Sequence, residues 1–166
     1  MNTIKNIVKQ AVSAGSCTGT VGNGVAFNAS MVELTSKTFP LPHGEAHVMF
    51  ARHRAPEPDF TTREINLSFT KELPADTYEL TPESNEIRLS FADHSNPLKP
   101  VIYTQVSGTA DLEFDDIAHV FKGTLKNVIV ENNDDDNKKT LTINVEFIAK
   151  TNFSHSSYAY GTARAA

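Results

Sequence analysis

The sequence predicts an all-β domain, mainly antiparallel, built as a sandwich or a closed barrel of about nine strands with one short N-terminal helix. Three observations carry that reading. Apolar residues alternate with polar ones at period two along most of the chain, as in Leu141, Ile143, Val145, Phe147 and Ala149. Between such runs lie turn-forming residues: Asn23-Gly24, Pro82-Glu83-Ser84-Asn85 and Asp115-Asp116. A helical period occurs once, in Ile4, Ile7, Val8, Ala11 and Val12.

The elements follow in chain order. Residues 3–14 read as an amphipathic helix, with Asn2 or Thr3 as its cap and Gly15 at its end. Residues 15–24, with four glycines, read as a connector. The β body spans 25–151 and opens with Val25-Phe27-Ala29-Met31. Ala46-Val48-Phe50, Ile65-Leu67-Phe69 and Ile87-Leu89-Phe91 each place one face in the core. A long run from Ile102 through Thr104 and Val106 continues at one parity to Ala110, Leu112 and Phe114. Pro56 and Pro58, then Pro97 and Pro100, mark two longer loops, because proline cannot sit in a central strand. Residues 152–166 form a tail with Phe153, Tyr158 and Tyr160 but a single full charge, Arg164. No composition break divides the chain, so 1–166 reads as a single domain.

Composition sets the outer limits. The chain has 166 residues, 15 Lys and Arg against 20 Asp and Glu, and a net charge of −5. That balance argues against nucleic acid as a partner, since a phosphate-tracking surface needs clustered cations. One cysteine, Cys17, leaves no intrachain disulfide and no multi-cysteine zinc module. No apolar run approaches a membrane span. Ala14-Gly15-Ser16-Cys17 has the look of a lipoprotein processing site, but Lys9 and Gln10 break the apolar stretch that an export signal requires. A cytoplasmic location is favoured over export.

Thr77-Tyr78-Glu79-Leu80, Ser107-Gly108-Thr109 and Phe121-Lys122-Gly123-Thr124-Leu125 together resemble uncharacterised bacterial all-β domains, sandwich or lipocalin-like. There a "GTY-x-L" strand precedes "sGt" and "v-x-GtF" strands. The resemblance covers about half the chain and implies the fold, with no activity attached. It also implies a lipid anchor, from which the broken apolar stretch departs.

Four stretches carry residues of reactive types. Gly15-Ser16-Cys17-Thr18-Gly19 matches G-x-C-x-G, yet a nucleophile elbow needs a strand before it and a helix after it. Cys17 therefore reads as a small thiol in a connector. His47 and His53 share the polar parity of their strand and should point outward. At ~3.3 Å per residue they stand roughly 20 Å apart, and His43 roughly 13 Å from His47, too far to share an ion. A zinc site would need His94 or His119 from elsewhere. Asp93-His94-Ser95 reads as a turn in which side chains bond local backbone.

The acidic run around Asp134, Asp135 and Asp136 is the one weak calcium candidate, since calcium takes about six to eight oxygens gathered from loops. If 101–115 is one strand, Asp93 shares an end with this run. If Gly108 divides it, Asp93 shares an end with Asp115 and Asp116 instead.

The favoured function is a non-catalytic module that binds a protein partner or assembles with itself, needing no cofactor, with Phe153, Tyr158 and Tyr160 as interaction residues. The alternatives are a lipocalin-like carrier of an apolar small molecule and a hydrolase whose site is scattered along the chain. A carrier should hold an internal cavity, whereas Phe27, Phe69, Phe91 and Phe147 would fill a packed interior.

Overall fold

A computed structural model describes residues 15–133 and 138–151. Among them are ten strands and no helix: β1 (Gly15–Val21), β2 (Val25–Asn28), β3 (Met31–Thr38), β4 (Glu45–Arg54) and β5 (Thr62–Thr70), then β6 (Asp76–Glu79), β7 (Ile87–Asp93), β8 (Val101–Asp115), β9 (Val120–Asn132) and β10 (Thr140–Lys150). All belong to one antiparallel sheet of order β2-β1-β10-β9-β8-β7-β5-β4-β3, with β6 paired to β8 off this path. The sheet is strongly curled, a half-barrel rather than two stacked layers. The expected helix 3–14, the tail 152–166 and Asp134–Asp136 lie outside the described residues.

The sequence of strands is a meander whose two edges meet in one stretch of chain. Residues 25–28 pair with β1 and residues 31–38 pair with β4. At the crossing, the Ala29 N–H donates to the Cys17 carbonyl and the Ser30 N–H to the Arg52 carbonyl, so neither side is abandoned abruptly. The antiparallel order sets two ends. One carries the β4–β5, β7–β8 and β9–β10 loops. The other carries the β3–β4 and β8–β9 loops and both points where the described chain begins and ends.

The inner face buries a single apolar cluster. Ile65, Leu67 and Phe69 on β5, Ile87, Leu89 and Phe91 on β7, and Ile143, Val145, Phe147 and Ala149 on β10 all belong to it, as their alternation requires. Phe69 lies parallel to Phe121 at 5.6 Å between ring centroids, and Phe121 meets Phe147 edge-on at 5.0 Å. These rings make the middle of the interior solid.

Three expectations are corrected. The connector 15–24 is instead β1 followed by a turn at 22–24. A Cβ on Gly19 would stand 2.0 Å from the Asn144 carbonyl oxygen, so glycine is there to let β1 lie close on β10. The parity of β4 is reversed: Met49 and Ala51 join the core, and His47 stacks on Phe114 with centroids 3.5 Å apart. Val48 is buried as well, on the other face, which is why alternation misleads here. Third, β8 is continuous from 101 to 115 but changes parity midway, from buried Tyr103 and Gln105 to buried Ala110 and Leu112. Its register on β9 shifts twice, between Gln105 and Thr109. Gly108 at φ 119° sits at that double bulge, with Val128 Cα 2.5 Å from where its Cβ would be.

Candidate functional site

Four polar constellations stand on this scaffold, and their geometry separates structural ties from accessible groups. His43 comes from the β3–β4 loop and is wholly buried against the outer face of β5. One ring nitrogen, Nδ1, lies 2.5 Å from the Asn85 carbonyl oxygen, which can only accept; Nδ1 therefore carries the proton. Nε2 is left bare and accepts from the Ser68 hydroxyl at 2.8 Å. Thr70 Oγ1 adds a bond to the His43 carbonyl at 3.0 Å. Burial holds the His43 pKa below its ordinary 6.5, and nearby Arg88 adds to this against the pull of Asn85. The imidazole is neutral and enclosed, and it pins the loop to the sheet.

At the opposite end, Glu64 accepts from Arg52 Nε at 2.8 Å and from His94 Nε2 at 2.7 Å. Burial raises the Glu64 pKa, but these two donors outweigh it and leave the carboxyl below its ordinary range. Arg52 also lies over the Phe50 ring and Arg54 over the Phe60 ring, both near 5 Å, as their 5.3 and 5.1 Å distances show. Here the sequence reading of His94 was incomplete. Asp93 and Ser95 do form the local turn, with Ser95 N–H and hydroxyl both on Asp93 Oδ1, while His94 reaches across to β5.

A third group lies on the outer face of β8 and β9. Asp111 takes Lys126 Nζ at 2.6 Å and the Thr77 hydroxyl at 2.6 Å, and this pairing lowers its pKa. Solvent-exposed charges so paired contribute little energy.

The fourth is a cleft of about 420 Å³ at the end where the described chain begins and ends. His47, Lys71, Glu72, Phe114, Asp116 and His119 line it. Leu34, Thr35 and Ser36 form one wall, on the outer edge strand β3, and Thr151 stands on its rim. The Thr151 N–H donates to the His119 carbonyl, fixing the exit of the chain there. Glu72 and His119 both have left-handed backbone, φ 70° and 54°, which is uncommon outside glycine and aims their side chains from tight turns. The floor is the His47–Phe114 stack, its planes 11° apart. Burial lowers the His47 pKa, and Lys71 lowers it further against the opposing effect of Asp116. A neutral imidazole on an aromatic ring, under a rim carrying both signs of charge, suits an amphipathic guest.

The residues singled out in the sequence are thus dispersed. Cys17 is buried in β1 with its thiol pushed up to about 12 by burial, so it is not a nucleophile. His43, His47 and His53 lie apart: His43 on the outer face, His47 in the cleft, and His53 beside Phe27 with its Nδ1 2.8 Å from the Asn28 backbone nitrogen and from the Asn28 carbonyl oxygen. His47 and His119 are brought to one cleft, but no cluster of three or more His, Cys, Asp or Glu able to hold a metal exists among the described residues. Because β8 is a single strand, Asp93 shares an end with the start of the acidic loop and Asp115 lies at the other. Lys71, Glu72 and Phe114 were not foreseen, since nothing local marks a turn residue that will overhang a cleft. No protein-family model matches the chain, and no curated protein and no solved structure matches it.

Proposed function

We propose that this protein is a non-catalytic module that works by association, through the end of the half-barrel where the described chain begins and ends. The observation that carries the reading is an unsatisfied strand edge at that end. β3 pairs with β4 alone, and its outer edge from Glu33 to Thr38 has no ladder partner among the described residues. Such an edge accepts a further strand through main-chain hydrogen bonds. Two isolated apolar side chains stand at the same end: Leu41, 87% exposed in the β3–β4 loop, and Ile117, 93% exposed in the β8–β9 turn. The low-charge tail with Phe153, Tyr158 and Tyr160 follows directly from Thr151 on the cleft rim. Aromatic residues bury large area for little rotamer entropy, which favours such docking.

The carrier reading has less support. Phe27, Phe69, Phe91 and Phe147 are all buried in one cluster, leaving the middle of the curl filled by side chains. The test compares the full chain with a variant lacking 154–166 by light scattering. An assembly that falls to single chains on truncation supports association through this end, and single chains in both samples would overturn it.

A further inference from the structure

We infer that the cleft beside β3 is the acceptor for the C-terminal segment 152–160 of a second copy, with Tyr158 and Tyr160 seated against the His47–Phe114 floor. This rests on the association reading and names its contact. Three features point to that occupant. The acceptor edge and the cleft are one structure, because Leu34, Thr35 and Ser36 of β3 form the cleft wall. A strand added along β3 therefore lays every second side chain toward the cleft or away from it. Tyr158 and Tyr160 are two positions apart, so an extended segment presents both on one side.

The second feature is reach. The chain leaves from Thr151 on the rim of its own cleft, seven residues before Tyr158. At ~3.3 Å per residue that span reaches up to roughly 23 Å, enough to bring Tyr158 to the cleft of a copy facing it end to end. Donor and acceptor at the same end also suit a two-fold pair. When two copies face each other by these ends, each tail lies beside the other's cleft, and the exchange closes without leaving a free acceptor.

The third feature is chemical fit. An aromatic side chain buries about 150–250 Å², on the scale of a small cleft, and a tyrosine wants an apolar bed with a polar group at its tip. The stacked ring pair supplies the bed. Lys71, Asp116 and His119 on the rim supply groups that can bond a phenol.

The experiment keeps the full chain and both tyrosines. Ser156→Cys, two positions before Tyr158 and therefore on the same side of an extended segment as both tyrosines, is combined with Ser36→Cys on the cleft wall, and a control combines it with Thr62→Cys at the opposite end of the sheet. Native Cys17 is buried and does not compete. Mild oxidation of the Ser36→Cys pair is expected to double the chain mass on a non-reducing gel, with the control pair remaining single. Cross-linking within one chain, or equal cross-linking of both pairs, would overturn the inference. Native mass on the same unoxidised samples separates the two proposals. Single chains throughout sink the association reading and this one with it. A dimer that does not cross-link at Ser36 sinks only the assignment to this cleft.

Discussion

Gln105 shows how much of this fold rests on single polar side chains. It is buried on β8 at the point where β7 parts from that strand, since β7 pairs with β8 only through Ser90–Asp93. Its Oε1 accepts from the Leu89 N–H at 2.7 Å, and its Nε2 donates to the Thr81 and Ile87 carbonyls at 2.7 and 3.1 Å. One amide thus replaces the ladder that the divergence removes. Gln105→Leu keeps the volume but strands those backbone groups, and urea unfolding should show a loss of about 3 kcal/mol; no loss would contradict the role. Histidines make the stability depend on pH. His43 and His47 both titrate below the ordinary 6.5 in the folded protein, so just under that value the unfolded chain binds more protons. Their contribution is complete above 6.5 and declines as the pH falls through it. Glu64, held below its ordinary 4.5, works in a lower window and leaves this one clear. The urea midpoint should drop between about pH 7.5 and about pH 5.5, and His43→Gln should flatten that drop. An unchanged slope would show that the enclosed ring is not the cause. None of this was legible beforehand, because a buried polar residue looks like a surface one until its partners are placed.

Strands tell a different story. β5, β7 and β10 were readable in full, since each presents one face to the core and polar residues to the other. β1 was misread as a connector, because strand glycines that permit close approach are indistinguishable in sequence from loop glycines that permit turning. The two kinds differ in what surrounds them, and substitution separates them. Gly19→Ala places a methyl group on the Asn144 carbonyl and should cost about 3 kcal/mol or more. Gly24, at φ 73° with nothing within 4 Å of a built Cβ, meets only backbone strain, so Gly24→Ala should cost about 1–2 kcal/mol. Equal midpoints in thermal or urea unfolding would contradict the placement of β1 against β10. Likewise β8 defeated a single-parity reading because the bulge at Gly108 inserts residues that alternation cannot count. The β9–β10 ladder shifts register as well, between Ile143 and Val145, and there the Asn144 side chain takes the Asn127 N–H at 2.8 Å.

For the molecule as a whole, the sequence identified an all-β body and could not choose between stacked and curled sheets, since both alternate alike. The choice lies in the crossing at Ala29 and Ser30, where one stretch of chain serves both edges of the sheet. The cleft was invisible for a related reason: its lining comes from β3, β4, the turn after β5, the end of β8, the β8–β9 turn and the residue after β10, so topology alone assembles it. The central claim is that this end of the half-barrel is an association surface. Sedimentation equilibrium of the full chain tests it most directly, run beside the variant in which Phe153, Tyr158 and Tyr160 are all changed to Ser. The account predicts twice the 18.2 kDa chain mass for the full chain and a single mass for the variant. A full chain that sediments at 18.2 kDa up to about 100 μM, well above the concentration at which a micromolar dimer would form, would contradict it.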